Sequence, residues 1–305
     1  MNENTGTTSF HSGFIAVMGR PNVGKSTFLN TVLGQRIAAV SPKPQTTRMQ
    51  QYGILNRENA QLIFIDTPGL HHPHHKLGEY MNVDAQRALE DADLGLFMVD
   101  GTTSPPHPED RLLVDLLQEL PSRPDIVMAL NKCDQIPGEK LAGRLEEYQR
   151  LLPGAKIRAI SAARGDHLEA LIDLLIDHLP EGPTFFPPDQ ITDLYERDIA
   201  ADMIRAAAMK NLQHELPHVI AVRMDEYKER NHTGAYIQAT IFVERESQKG
   251  ILIGRGGRMI KRIGAMARQE IEDMSGRKVY LKLRVKVRKN WRNDENALRL
   301  FGFKK

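Results

Sequence analysis

Cysteine is almost missing from this chain. One residue, Cys133, stands among 305, which excludes an intramolecular disulfide framework. Aromatic side chains are also scarce, at 6%. No apolar run approaches the roughly 20 residues that cross a bilayer. No internal repeat or low-complexity tract interrupts the sequence, and the opening MNENTGTTSFHSG has neither the basic stretch nor the apolar core of a secretory signal. These absences lead us to expect a cytoplasmic protein in a reducing compartment. What is present, 41% hydrophobic and 26% charged residues, is the composition of an ordinary globular chain long enough for two domains.

Net charge is close to neutral, at +2, but it is unevenly spread. Residues 228–305 hold 20 Lys and Arg against 8 Asp and Glu, leaving 21 against 31 for residues 1–227, so the tail carries +12 and the remainder −10. Clustered basic charge attracts phosphates and accelerates encounter, so the C-terminal part is expected to meet a polyanion.

From Gly13 to about residue 180, short apolar runs alternate with amphipathic ones: FIAVMG with KSTFLNTVLG, LIFID, DLGLFMVD with EDRLLVDLLQEL, DIVMALN with EKLAGRLEEYQRLL, and IRAIS with HLEALIDLLIDHL. This is the βα rhythm of a mostly parallel sheet covered by helices. RMQQYGILN and LIFID, close together around RENA, are expected to pair as an antiparallel edge hairpin. The segment LPEGPTFFPPD, with four prolines and a glycine, sustains neither a helix nor a central strand. We therefore expect one domain over residues 11–180, a linker over 181–191, and a second domain with a C-terminal extension over 192–305. In that second part a helical stretch, two strand-like runs, a glycine loop, a helix through Met274 and the alternating KVYLKLRVKVRK follow in order.

GRPNVGKS, residues 19–26, follows a strand and opens a helix, as the G-x-x-x-x-G-K-[ST] phosphate loop requires. Gly19 and Gly24 let the backbone curl around phosphate oxygens, Lys25 supplies a point charge, and Ser26 is a Mg²⁺ ligand candidate. Arg20, Pro21, Asn22, Val23 and Thr27 complete the loop. NKCD, residues 131–134, ends an apolar run where a parallel sheet delivers its loops to a ligand crevice. There Asp134 can accept two hydrogen bonds from guanine, which adenine does not offer, and the Lys132 stem can cover the base, with Asn131 beside them. Between these motifs lies DTPG: Asp66 can hold Mg²⁺ through water, and the Gly69 N–H can sense a γ-phosphate, flanked by Thr67 and Pro68. ISA, residues 160–162, places backbone N–H groups at Ser161 and Ala162 where they can reach the guanine carbonyl.

GRPNVGKSTFLN, QTTR, DTPGL, NKCD and ISA, in this order, resemble the translation-factor-related GTPases, and HKLGEYM after DTPGLHHP resembles the Era family among them. The resemblance covers residues 13 to about 300. It implies that the threonines of QTTR lie in the first switch, with Thr47 the Mg²⁺ ligand in preference to Thr46, and that Asn22 matches the asparagine with which some relatives bind K⁺. Lys25, Ser26, Thr47, Asp66 and Gly69 are the expected catalytic set, with GTP or GDP and Mg²⁺ as cofactors. Leu70 stands where many signalling GTPases carry a water-orienting glutamine, and leucine can neither donate nor accept that bond. Intrinsic hydrolysis is therefore expected to be slow.

GRGG, residues 254–257, fits a G-x-x-G nucleic-acid clamp. Gly254, Gly256 and Gly257 allow close approach to a single-stranded backbone, and Arg255, Arg258, Lys261 and Arg262 neutralise phosphates. Ile260, Ile263, Ala267, Ile271 and Met274 form a core-facing stripe behind it. With its flanking elements, the loop resembles a type II KH domain. The fold class is thus α/β, a P-loop GTPase domain followed by a smaller α+β KH domain. The family implies binding to the 3′ end of small-subunit ribosomal RNA and to the small subunit during its assembly, by a monomer. The competing reading is a constitutive RNA-binding assembly protein with a structural nucleotide site. The basic tail also suits a peripheral membrane contact, and the basic face of KVYLKLRVKVRK suits either RNA or solvent. HHPHH is not expected to bind metal, Cys133 has no redox role, and Trp291 either stacks on a base or seals a core.

Overall fold

The computed structural model describes residues 9–41, 47–68, 75–103, 107–120, 124–231 and 233–303. They form two compact units that interleave along the chain: Met1–Gly34, Gln50–Thr67 and Ala85–Asp193 in the first, Gln35–Met49, Pro68–Asp84 and Leu194–Lys305 in the second.

The first unit contains β1 (His11–Met18), α1 (Lys25–Leu33), β2 (Gln51–Arg57), β3 (Ala60–Asp66), the end of α2 (Lys76–Glu90), β4 (Leu94–Asp100), α3 (Pro108–Glu119), β5 (Asp125–Asn131), α4 (Gly138–Leu151), β6 (Lys156–Ala159) and α5 (Leu168–Ile176). The sheet order is β2-β3-β1-β4-β5-β6. All neighbours are parallel except β2 with β3, which form the expected edge hairpin with Arg57 opposite Ala60. Every residue of β3 and β4 is buried, the pattern of strands covered on both faces, which is why those runs show no alternation. Ile15, Val17, Phe28, Phe64, Leu96, Met98, Val127, Leu171 and Leu175 lie in the core, with Phe28 edge-on to Phe64 at 5.5 Å. The strand order reverses beside β1, so β1, β3, β4 and β5 deliver their carboxyl ends to one crevice.

The proline-rich segment is strapped along this unit. Gln61, fully buried in β3, uses both ends of its amide: Oε1 accepts from the Phe185 and Phe186 N–H groups at 2.7 and 3.0 Å, and Nε2 donates to Asn56 Oδ1 and Phe186 O at 2.7 and 2.8 Å. The Ile54 N–H adds a bond to Ile191 O, and the Tyr52 N–H one to Asp193 Oδ1.

The second unit contains α6 (Glu196–Asn211), α7 (Leu216–Val219), β7 (Ala221–Asn231), β8 (Gly234–Val243), α8 (Glu246–Ile253), α9 (Arg258–Ser275), β9 (Lys278–Val287) and α10 (Glu295–Leu300). Its sheet runs β7-β8-β9, antiparallel then parallel. A parallel pair needs a crossover, and α8, the glycine loop and α9 supply it. One face of the sheet, with Ala235, Ile237, Ala239 and Ile241, packs with Ile199, Met203 and Ala207 of α6 and Ile263, Ala267, Ile271 and Met274 of α9.

A separate cluster forms around Phe242, on the other face: Leu77, Tyr80, Met81, Ala221, Trp291, Ala297, Leu298, Phe301 and Phe303. Trp291 is completely buried and donates its indole N–H to Val219 O at 2.8 Å, so it seals this core and is not available to stack on a base. Arg48 joins the cluster with its guanidinium 5.8 Å from the Trp291 ring centre and bonds to Ile220 O and His218 O at 2.7 and 3.1 Å. Lys76 pairs with Glu295 at 3.0 Å.

Candidate functional site

The phosphate-loop motif occupies the turn from β1 to α1. Gly19 and Gly24 have φ of 146° and 107°, open to glycine, and a Cβ would strike Met98 O at Gly19 and the Asn131 amide at Gly24. Asn22 takes a left-handed φ of 64°, which asparagine tolerates better than most residues. Lys25 is buried, its Nζ donating to Gly19 O at 2.7 Å and Arg20 O at 3.2 Å. Burial lowers its pKa to about 8, against the raising effect of Asp66 and with the lowering effect of Arg20. An ammonium seated on two carbonyls, with no salt-bridge carboxylate within 4.0 Å among the described residues, is placed to receive an anion.

Asp66 ends β3, fully buried, and accepts from Gln51 Nε2 at 3.2 Å. Thr67 bonds across to Val17 O at 2.8 Å, fixing the exit of β3 against β1. Asn131 ends β5 and ties two loops together: its Nδ2 donates to Val23 O at 2.7 Å and its Oδ1 accepts from the Ala162 N–H at 2.9 Å. The Ser161 N–H donates to Asp166 O at 3.1 Å. The N–H groups of Ser161 and Ala162 are thus both engaged within the protein, so a bond from either to a base carbonyl would be a shared, three-centre one. Asp134 lies exposed in the short helical turn after Asn131, with Lys132 before it at a left-handed φ of 66°.

Three residues that sequence reasoning did not select complete this edge. Asp100, ending β4, accepts from Lys132 Nζ at 2.6 Å and lies 3.7 Å from Arg20, which is 3.6 Å from buried Asp110. Tyr148 donates its hydroxyl to Asp110 at 3.2 Å. Burial pushes the Asp100 carboxyl up, but the bonds from Lys132 and Thr102 outweigh it and hold the group below its usual range. The network fixes the Lys132 stem and the Arg20 side chain together. Its only sequence signal was an aspartate at the carboxyl end of an apolar strand.

The structure thus brings Gly19, Arg20, Val23, Gly24, Lys25, Asn131, Lys132 and Ala162 into one network of bonds and close approaches in the first unit, with Asp66 acting on Lys25 through its charge. Ser26 opens α1 next to Lys25, and Pro21 and Thr27 follow from the chain. Thr47 and Pro68 are counted with the second unit. Thr46, Gly69, Leu70 and residues 71–74 of the HHPHH run lie outside the described residues. No group of His, Cys, Asp and Glu suited to a metal ion occurs among the described residues.

In the second unit, Gly254, Gly256 and Gly257 have φ of 71°, 61° and 76°. Three such residues in four reverse the chain between α8 and α9, and at Gly254 a Cβ would approach Met259 N to 2.9 Å. The loop is therefore closed to side-chain-bearing residues at that position. Arg255, Arg258, Lys261 and Arg262 are all exposed around it, and Ile251 is an exposed apolar residue at the end of α8.

Residues 14–132 match the model of the 50S ribosome-binding GTPase family, and residues 215–292 that of the KH domain. The chain is 44% identical over 297 residues to GTPase Era of Ruminiclostridium cellulolyticum, covering 97% of this chain and 98% of that one. The chain belongs to the Era family of GTPases. Two solved Era structures superpose on it with TM-scores of 0.91: Era in complex with MgGDPNP and nucleotides 1506–1542 of 16S ribosomal RNA, 40% identical, and a point-substituted Aquifex aeolicus Era bound to GDP·AlF₄⁻, 39% identical. Each alignment covers 97% of this Era-family chain and the whole of the other.

Proposed function

We infer that this GTPase is a nucleotide-controlled RNA binder: it binds GTP with Mg²⁺ at the strand-end crevice, hydrolyses it to GDP and phosphate, and holds the 3′ end of small-subunit ribosomal RNA in the GRGG clamp during processing and assembly of the small subunit. The observation that carries this reading is one chain holding two separately built anion sites. One is the buried, carbonyl-seated Lys25 at the carboxyl ends of a parallel sheet, the other a left-handed glycine loop ringed by four exposed cations. The Era relative that carries both MgGDPNP and 16S RNA supports it.

In this reading Lys25 exchanges its two carbonyl acceptors for phosphate oxygens, and the Gly19–Thr27 backbone wraps the phosphates. Asn131 holds the loop after β5 to the phosphate loop, while Asp134 reads the base and Lys132 covers it. The donor set fits Mg²⁺: a buried carboxylate at Asp66 and hydroxyls at Ser26 and Thr47 are hard oxygen ligands. Bound Mg²⁺ would neutralise developing phosphate charge, with Gly69 contacting the γ-phosphate and K⁺ near Asn22 adding to the neutralisation. A monomer in the cytoplasm suffices for these roles. Phosphate-rich RNA accounts for the basic tail, which leaves an inner-membrane contact secondary. Among the described residues, no helix is long and apolar enough to cross a membrane.

The test is titration of fluorescent single-stranded RNA from the small-subunit 3′ end, with a non-hydrolysable GTP analogue and with GDP, using wild type and a Gly254→Asp, Gly257→Asp double variant. Tighter binding with the analogue, lost in the variant, is the expected result. Equal affinity in the two nucleotide states would replace the switch with a constitutive RNA binder. Binding indifferent to the double substitution would remove the clamp.

A further inference from the structure

The sheet of the second unit has an outward face that the proposed function leaves unused. Along β9 the inward residues are Val279, Leu281, Leu283, Val285 and Val287, and the outward ones Lys278, Tyr280, Lys282, Arg284 and Lys286 are all exposed. Part of the outward face of the sheet is covered, where Phe242 meets Trp291 and Phe301. The other end is open and carries an ordered stack of side chains. The Arg230 guanidinium of β7 lies 5.2 Å from the centre of the Tyr236 ring of β8. Tyr236 lies 5.7 Å from the Tyr280 ring of β9, with the two rings within 10° of parallel. Since β9 is the edge strand, the stack ends on a ring that is 65% exposed.

A solvated strand face accounts for the lysines but not for this aromatic end. A large ring left open at the end of a cation–ring–ring stack is a platform on which an unpaired base continues the column, because every base has a π-face. The cations alongside are available. Lys282 and Arg284 make no ion pair among the described residues, and Lys278 has only a 3.7 Å contact with Glu272. Acidic neighbours are few: Glu226 is occupied by Lys228, and Asp225 by Arg223 and Thr240. The charge and the open ring together suit a polyanion that carries bases.

We propose that this open face is a second RNA-contact surface, in which Tyr280 stacks an unpaired base and Lys278, Lys282 and Arg284 hold the neighbouring phosphates. It rests on the RNA-binding reading given above. The geometry separates it from the clamp: α9 carries the chain about 27 Å from the GRGG loop before β9 begins, and Tyr280 lies near that far end, on the sheet face opposite the helices. One G-x-x-G clamp grips about four nucleotides. The fragment carried by the Era relative, nucleotides 1506–1542, is far longer, so an RNA of that kind has chain to spare for a second surface.

The experiment uses the full chain with GTP analogue and Mg²⁺ and measures fluorescence anisotropy with two RNAs, one of about six nucleotides that fills only the clamp, the other matching the 1506–1542 fragment. The variants are Tyr280→Ala, Tyr280→Phe and the pair Lys282→Gln, Arg284→Gln, all at exposed positions. Tyr280→Ala is expected to weaken the long RNA by about 5- to 150-fold, the range for one lost base stack, and leave the short RNA unchanged, while Tyr280→Phe retains wild-type affinity. The charge pair is expected to flatten the salt dependence of long-RNA binding, log K against log salt, by about 1.4, near 0.7 for each phosphate contact to a single strand. Long-RNA affinity and salt slope unchanged in every variant, with wild type binding both RNAs through GRGG, overturns this surface alone. Failure of wild type to bind either RNA overturns the RNA-binding reading and this surface with it. Binding to phosphatidylglycerol vesicles that the charge pair abolishes, without change in RNA affinity, reassigns the face to a membrane and also overturns the proposal.

Discussion

The charge of Lys25 in the phosphate loop costs the nucleotide-free protein stability, and that cost can be read by pH. Its pKa falls from 10.5 in the unfolded chain to about 8 in the folded one, because burial removes water from the ammonium faster than Asp66 compensates. A depressed lysine pKa means that between these values the unfolded chain binds more protons, so stability rises with pH there. Below the folded pKa the full penalty applies, about 3 kcal/mol from the shift. Between about pH 7.5 and pH 9.5, integration of the linkage gives a gain of about 2 kcal/mol from this group. Urea unfolding of nucleotide-free wild type and of Lys25→Met at both pH values isolates the effect, since the methionine stem keeps the volume and other titrations cancel in the difference. Wild type is expected to gain about 2 kcal/mol on the variant across that interval. An unchanged difference would show that Lys25 is not desolvated, and the account of a cation poised for phosphate would fail with it. A bound phosphate should restore the ordinary lysine pKa, so nucleotide affinity should decline as pH rises above about 8.

Other residues offer sharper tests of individual bonds. Asn131→Ala leaves Val23 O and the Ala162 N–H without their buried partners; a loss of about 2 to 4 kcal/mol in urea unfolding, with loss of GTP binding by calorimetry, is expected. Gln61→Leu fills the same space but abandons four bonds that hold Phe185, Phe186 and Asn56; hydrogen exchange at residues 185–191 should accelerate at least tenfold. Trp291→Ala should cost about 3 to 5 kcal/mol by emptying the cluster around Phe242, measured by thermal unfolding of the full chain.

The legible part of this molecule was the part in which chemistry constrains neighbours in sequence. A phosphate loop must turn on glycine beside a lysine, so GRPNVGKS revealed both its chemistry and its place between β1 and α1. The strand-end motifs followed from the βα rhythm. The alternation of KVYLKLRVKVRK gave the inward and outward faces of β9 correctly, because a two-residue period has only one reading on a half-buried strand. What escaped depends on partners remote in sequence. Asp100, Asp110 and Tyr148 meet Arg20 and Lys132 only through the fold. The proline-rich stretch read as a linker, and no local feature showed that one buried amide, Gln61, binds it down. Arg48 looked like the last letter of QTTR, and nothing local announced that its guanidinium lies over Trp291, 243 positions later.

That last contact bears on how this protein can be divided or inherited. The chain passes between its two units five times, at 34/35, 49/50, 67/68, 84/85 and 193/194. A single cut in the proline-rich stretch therefore does not release two whole modules. A fragment beginning at Leu194 leaves behind Arg48, Leu77, Tyr80 and Met81, and with them part of the packing around Trp291 and Phe242. A gene rearrangement that exchanged only the C-terminal segment would have to match those donated side chains as well. The second unit is thus built in part from side chains that the chain supplies before Ala85, and a transplant of the C-terminal segment alone would leave its core incomplete.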